Sequence, residues 1–181
     1  MNFEEKLNHG FELLQDKDID HALDIARELQ KENEDSHEAY YLEALIFQQL
    51  EQFDLSLKNI NKAIELDDEQ AAYFNLRGNI RMNKEELEGA EEDFDKAIEI
   101  DDFAGAHRSK VMLMLMTERG AEAIPYTIDR IKKSPQDPEN WILMGDMIKR
   151  GGQADKAATY YEQALKIDPD NDYARRQLEE E

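Results

Sequence analysis

The fold is decided by residues 138–171, PENWILMGDMIKRGGQADKAATYYEQALKIDPDN. Large and small side chains follow one another there at fixed places: Trp141, Met144, Gly145, Ile148, Ala157, Tyr161, Ala164 and Pro169. This spacing predicts two amphipathic helices joined by a short turn, with a proline closing a unit of about 34 residues.

The same unit recurs along the whole chain. The place of Gly145 is taken by Gly10, Ala44, Gly78 and Met112, at steps of 34, 34, 34 and finally 33 residues. We therefore predict repeats over residues 3–36, 37–70, 71–104, 105–137 and 138–171, with a short capping helix over 172–181. We expect residues 1–181 to form a single domain.

The unit resembles a tetratricopeptide repeat. That family follows the pattern W-x2-L-G-x2-Y, then A-x3-F, then P, which residues 138–171 match at Trp141, Gly145, Ala157 and Pro169. The resemblance implies an all-α fold, a right-handed α-α superhelix or solenoid of five helix-turn-helix repeats. It also implies a protein that binds other proteins or peptides.

Composition limits the partners. The chain has 43 acidic and 22 basic residues and a net charge of −21, which repels polyphosphate backbones and anionic headgroups. We therefore expect no nucleic-acid partner and no membrane insertion. There is no cysteine, hence no disulfide framework. The first residues lack a basic and apolar leader pattern, so we expect a cytoplasmic protein.

The fourth repeat departs most from the pattern. The short step lies between Met112 and Ala123, which predicts a missing residue in the turn at 117–120. Pro125 predicts that the following helix starts late or bends, and Arg130 takes a place that is alanine in three other repeats. Residues 111–116, VMLMLM, are apolar on every helix face. Two interpretations stay open for them: burial between neighbouring repeats, or partial contact with a ligand.

Catalytic and metal-binding patterns are weak. The four histidines are scattered and never spaced for two imidazoles on one helix face. Asp168, Asp170, Asp172 and Glu179 have the spacing of a calcium loop, but Tyr173 occupies the place of its turn glycine. No phosphate-binding loop or cofactor fingerprint is present. We expect no catalytic residues, no metal, no cofactor and no enzymatic activity.

The resemblance implies a binding groove on the concave face that the first helices form. The residues expected to face it are Leu7, Phe11 and Leu14; Tyr41, Leu45 and Gln48; Asn75, Asn79 and Met82; Ser109, Leu113 and Met116; and Ile142, Asp146 and Lys149. Asn75 and Asn79, one helical turn apart, offer donors and acceptors to the backbone of an extended peptide. The surrounding Leu, Tyr and Met side chains suit apolar ligand side chains.

Two functions follow as alternatives. The first is an adaptor or chaperone-like scaffold that holds an extended apolar or basic segment of a protein or peptide ligand in the groove. The second is a structural subunit of a larger assembly that self-associates as a homo-oligomer through incompletely capped repeat ends.

Overall fold

The computed structural model describes residues 1–179, and every regular element within them is an α-helix. The predicted all-α fold is confirmed. In these residues the first helix of each repeat has an odd number, the second an even number, and α11 follows the last repeat. The described helices are α1 Phe3–Gln15, α2 Ile19–Glu32, α3 His37–Gln49, α4 Phe53–Leu66, α5 Ala71–Asn83, α6 Leu87–Ile100, α7 Ala104–Met116, α8 Gly120–Lys133, α9 Pro138–Arg150, α10 Ala154–Ile167 and α11 Asp172–Glu179.

The chain divides into two compact units. The first, Met1–Lys110, contains α1 to α6 and the first half of α7, and the second begins at Val111. That all repeats form a single domain stays a prediction. Within residues 1–179 we find no helix with the length and apolar character that crossing a bilayer requires.

Side-chain caps start several first helices. Asn2 and Glu5 form a capping box at α1, and Ser36 Oγ accepts a hydrogen bond from the Ala39 amide at α3. Asp137 caps α9, whose first residue is Pro138. Each cap satisfies an amide that the helix itself leaves without a partner, so these residues determine where the helices begin.

The two helices of a repeat pack through complementary volumes. A Cβ built on Gly78 would lie 2.5 Å from the ring of Phe94, and one on Gly145 would lie 2.7 Å from the ring of Tyr161. In the second repeat the small partner is Ser56, whose hydroxyl donates to the Ala44 carbonyl at 2.7 Å. The repeat therefore requires small residues at these places, because its two helix axes approach closely there.

The turn inside each repeat has one conformation throughout. It contains three residues each time, at 16–18, 50–52, 84–86, 117–119 and 151–153. The middle residue is left-handed in every case: Lys17, Glu51, Glu85, Glu118 and Gly152. The third residue donates its amide five residues back, for example Arg119 to the Met114 carbonyl at 2.7 Å. This is the six-to-one bond of a Schellman helix end.

The missing residue therefore does not lie at 117–120, and that prediction is wrong. The turns between repeats have four residues at 33–36, 67–70, 134–137 and 168–171 but three at 101–103. The deletion lies between α6 and α7, so the fourth repeat begins at Ala104, one residue earlier than predicted. Its counterpart of Gly145 is Val111, not Met112.

A series of polar contacts between neighbouring repeats of the first unit supports this register. Arg27 Nε donates to Glu43 at 3.3 Å, and Arg77 donates to Asn61 Oδ1 at 3.1 Å, each pair 16 residues apart. The equivalent bond from Lys110 to Asp95 spans only 15 residues. One residue is thus missing between Asp95 and Lys110.

The other departures in the fourth repeat have smaller effects than expected. Helix α8 begins at Gly120 and has 14 residues like every other second helix, so the expected late start is wrong. Pro125 removes one backbone hydrogen-bond donor, but Ala123, Thr127 and Arg130 on the inner face of α8 remain buried. In the run at 111–116, Val111, Leu113 and Met114 are buried, whereas Met116 is 54% exposed.

Candidate functional site

The first helices of the first unit lie side by side. Helix α1 contacts α3, and α3 contacts α5, while the second helices α2, α4 and α6 make no comparable contact with one another within residues 1–110. Aromatic rings mark both junctions: the centroids of Phe11 and Tyr41 lie 6.2 Å apart, and those of Tyr41 and Tyr73 lie 4.7 Å apart. In this unit the first helices therefore line the inner side of the stack, as a concave groove requires.

The groove residues expected in the first three repeats share one property, since each is partly exposed on its first helix. These residues are Leu7, Phe11, Leu14, Tyr41, Leu45, Gln48, Asn75, Asn79 and Met82. Their apolar members pack on the cores beneath: Leu7, Phe11 and Leu14 on one cluster, Tyr41 and Leu45 on the next. Each of these apolar side chains packs on the core with one side and is partly exposed to solvent on the other, which is the arrangement of a binding surface.

A shallow depression of about 350 Å³ lies at the carboxyl ends of α1 and α3. Leu14, Leu45 and Gln48 line it together with Phe53 and Asn83. Phe53 and Asn83 were not predicted, because Phe53 belongs to a second helix and Asn83 to the last turn of α5. Its lining combines these apolar side chains with the amides of Gln48, Gln49 and Asn83 and the carboxylate of Glu51.

Two neighbouring tyrosines, Tyr41 in the groove and the buried Tyr73, have raised pKa values. Burial raises the pKa of Tyr41 above its usual range. The pKa of Tyr73 is raised by burial and, secondarily, by the carboxylates of Glu38 and Asp67. Its hydroxyl lies 2.7 Å from His37 Nδ1. Sequence reasoning missed Tyr73, although an aromatic residue two places before Asn75 was a usable signal.

Asn75 and Asn79 stand on successive turns of α5. Neither side chain makes a hydrogen bond within the described residues, and Asn75 Oδ1 is buried there without any partner. An unsatisfied buried oxygen is rare in folded proteins, because the lost hydration is not replaced. Together with Gln48, these two residues give the groove carboxamides that make no hydrogen bond within the described residues.

The shifted register changes the fourth repeat. Leu113 is fully buried, so its predicted place in the groove is wrong, and Met116 and Ser109 stand one residue past the inward positions. The residues equivalent to Asn75, Asn79 and Met82 are Arg108, Met112 and Leu115, each partly exposed.

The fifth repeat is covered by its own capping helix. Ile142 is fully buried in a cluster with Ala174 of α11, so its predicted exposure to a ligand is wrong. Asp146 accepts hydrogen bonds from Tyr161 at 2.9 Å and Tyr173 at 3.0 Å. Lys149 donates to Gln177 at 2.9 Å. These groove positions are used internally, because α11 packs on α9 and α10.

The acidic residues with calcium-loop spacing form a turn and a helix cap. Asp168 accepts from the Asp170 amide and from Asn171 Nδ2, and Asn171 caps α11 through the Ala174 amide. Among residues 1–179, no group of three or more His, Asp or Glu side chains is placed to hold a metal ion.

Comparison with known proteins agrees with this architecture. Two family models, each described as "Tetratricopeptide repeat", match residues 41–105 and 138–171, together more than half of the chain. Protein O-mannosyl-transferase Tmtc3 of Drosophila melanogaster is 32% identical over 120 residues, which are 65% of this chain but only 13% of that protein. The chain thus spans a small part of this relative.

Solved structures show the same fold. TTC0263, a thermophilic TPR protein of Thermus thermophilus, has a TM-score of 0.78 at 18% identity, with 98% of this chain and 97% of that chain covered. YrrB, described as a TPR protein with an unusual peptide-binding site, has a TM-score of 0.61 at 17% identity, with 96% and 90% covered. With its recurring turn, glycine–aromatic packing and family matches, the chain belongs to the tetratricopeptide repeat family.

Proposed function

We propose that this chain is a binding scaffold without catalytic activity, which holds an extended protein segment along α1, α3 and α5. Proteins built from these repeats serve in general for protein–protein interaction. The observation that carries the proposal is the carboxamide of Asn75, whose buried oxygen has no hydrogen-bond partner in the described residues.

An extended peptide can supply what Asn75 lacks. Its backbone presents amide donors and carbonyl acceptors at regular intervals, and an asparagine can both donate and accept. Asn75 is partly exposed as a whole, and we infer that a rotation of its side chain presents the carboxamide to a bound peptide. Asn79, one turn further, provides a second pair of groups. Recognition through the backbone tolerates many ligand sequences.

The ligand's side chains follow from the surroundings. Tyr41 and Leu45 on α3 and Met82 on α5 are partly exposed and suit apolar side chains. Residues 3–103 carry 29 Asp or Glu against 10 Lys or Arg, so this part of the chain repels acidic ligands. We therefore propose a ligand that is apolar and neutral or basic. The peptide-binding site reported for YrrB supports a peptide as the class of ligand.

The test is a screen of extended peptides followed by titration. Replacing both Asn75 and Asn79 with alanine should weaken binding by about 1–3 kcal/mol, because ligand groups lose their partners in a desolvated place. Glu92→Gln on the exposed face of α6 is the control and should leave the affinity unchanged.

Two results would contradict this proposal. Equal affinity of the double variant and the parent would remove the carboxamides from the site. A dimer in light scattering that dissociates when Tyr41 or Asn75 is replaced would instead support the self-associating subunit.

A further inference from the structure

Helix α8 carries an apolar stripe that no part of the described chain covers. Ala121, Ile124, Pro125 and Ile128 are all exposed, with Ile124 at 44% and Ile128 at 40%. Their spacing of three, one and three residues places them on one helix face. The inner face of α8 is a different one, formed by Ala123, Thr127 and Arg130. We call the four exposed residues the α8 stripe.

The other repeats serve as internal controls for this stripe. At three of its four places, the second helices of all other repeats have charged or polar residues. For Ala121 these are Asp20, Asp54, Glu88 and Asp155; for Pro125, Asp24, Lys58, Glu92 and Thr159; for Ile128, Arg27, Asn61, Asp95 and Glu162. The apolar stripe is therefore not a requirement of the fold.

The exchange at Ile128 also gives up a structural contact. In the first unit the equivalent residues Arg27, Asn61 and Asp95 each bind a polar side chain of the next first helix. Isoleucine cannot make such a bond. An exposed apolar side chain, at a place where the equivalent residues make an internal polar contact, indicates another use for the position.

Charge sets the fourth repeat apart in the same way. Residues 104–137 hold six Lys or Arg against four Asp or Glu, a net charge of +2 in a chain of −21. The other repeats are all acidic. Their counts of Lys or Arg against Asp or Glu are 4 against 11 in residues 3–36, 2 against 8 in 37–70, 4 against 10 in 71–103 and 4 against 6 in 138–171. Lys132, four residues after Ile128, continues the stripe's face and makes no ion pair within the described residues. Lys133 lies beside it, paired with Asp129 at 2.9 Å.

We propose that the α8 stripe docks an acidic amphipathic helix of a partner protein. Apolar side chains one turn apart on that helix would lie over Ile124, Pro125 and Ile128, and a carboxylate at its end would meet Lys132. The inference does not rest on the proposed groove, because the stripe lies on a second helix.

A second copy of this chain fits the stripe less well. Two stripes facing one another would bring the Lys132 residues of both copies together, without an acidic partner for either. A stable dimer needs about 800 Å² from each partner, which four side chains on one helix do not provide. Recognition of a single partner helix instead relies on a few apolar side chains spaced along one helix face, which matches the spacing of the stripe.

The experiment uses two designed, fluorescently labelled helical peptides of about four turns. Both carry leucine at positions i, i+3, i+4 and i+7; one has glutamate and the other lysine at the flanking positions. The full chain is titrated with each peptide and binding is followed by anisotropy. A stripe variant, Ile124→Gln with Ile128→Gln, and a control, Thr159→Gln with Glu162→Gln on α10, are titrated alongside. All four positions are exposed, so circular dichroism should show unchanged folding.

We expect the glutamate peptide to bind the parent and the control equally and the stripe variant at least about tenfold more weakly. Lys132→Glu should weaken binding several-fold at low salt. Equal binding of the glutamate peptide to the parent and the stripe variant would overturn the proposal. So would stronger binding of the lysine peptide, because the partner's charge would then be wrong. A parent dimer that the stripe variant abolishes would also overturn it, since the stripe would then join two copies.

Discussion

At the scale of single residues, the turn within each repeat poses the clearest question. Four of its five left-handed residues are not glycine: Lys17, Glu51, Glu85 and Glu118 have φ between 56° and 62°. Side chains with a Cβ incur a steric penalty in this region. Gly152 is the exception. A Cβ built on it has no atom within 4 Å, so only the left-handed backbone conformation would disfavour a larger residue there.

We expect Glu118→Gly to stabilise the protein by about 0.5–1 kcal/mol, because the relief of strain exceeds the added entropy of the unfolded chain. Gly152→Ala should destabilise it by about 1 kcal/mol for the converse reason. Urea unfolding measures both. Glu118→Ala is the control, since it removes the side chain and keeps the strain. A gain from alanine equal to that from glycine would assign the effect to the side chain.

The contact of Gly78 with Phe94 gives a second residue-scale prediction. A methyl group on Gly78 would lie 2.5 Å from the Phe94 ring, so Gly78→Ala should cost about 1–3 kcal/mol through overpacking. Phe94→Leu makes room and should recover part of that loss in the double variant. The free energies of unfolding of the four proteins in this cycle measure the coupling. Strictly additive effects would show that the two residues do not compete for space.

At the scale of helices, one buried charge cluster holds three elements together. Asp93 on α6 is 2% exposed and accepts from Arg77 Nε at 3.0 Å and Arg81 Nη1 at 2.8 Å, both on α5. Arg77 also donates to Asn61 of α4. Both arginines of α5 thus share one carboxylate. This explains the arginine at position 77, directly before Gly78, where the family pattern W-x2-L-G has leucine.

We expect Asp93→Ala to destabilise the protein by about 3–5 kcal/mol, because it leaves two partly buried guanidinium groups without their carboxylate. The control is Asp54→Ala, which removes an ion pair with Lys84 from a side chain that is 89% exposed. That change should cost less than about 1 kcal/mol. Thermal or urea unfolding compares the stability of the two variants. Similar losses of stability would show that the burial of Asp93 does not make its ion pairs more important than the exposed one.

The element scale also shows what the sequence could and could not predict. Helix periodicity and recurring small residues predicted the five helix pairs, because each repeat must bury a stripe against its neighbour. They misplaced the deletion, since Val111 and Met112 are both apolar and neither is small enough to mark the register. The spacing of Asp95 and Lys110, one residue shorter than the two equivalent pairs, was the missed signal.

The site was predictable only where the repeat pattern alone determines exposure. In the first three repeats the expected residues are partly exposed as required. In the fifth, Ile142 and Asp146 are covered because Ala174 and Tyr173 of the short last helix pack on them. That helix lies outside the repeat pattern, so its reach over α9 could not be predicted from the pattern.

At the scale of the whole molecule, charge is distributed unevenly along the chain. Residues 3–103 carry a net charge of −19, whereas residues 104–171 carry 10 acidic and 10 basic residues and are neutral. Exposed charges add little to the affinity of one contact, but a field of one sign acts over about a Debye length, 8–10 Å. The first three repeats should therefore attract basic segments before any contact forms.

For an extended, basic peptide that binds the proposed groove, the association rate should fall at least about tenfold between low salt and about 0.5 M salt, because salt screens this attraction. The dissociation rate should change much less, since the apolar and carboxamide contacts of the bound state are short-range and desolvated. Stopped-flow fluorescence measures both rates. A neutral peptide with the same apolar residues is the control, and its association should be nearly independent of salt. If salt acted on dissociation instead, direct ion pairs would hold the ligand, and the carboxylates beside the groove rather than Asn75 and Asn79 would dominate its recognition.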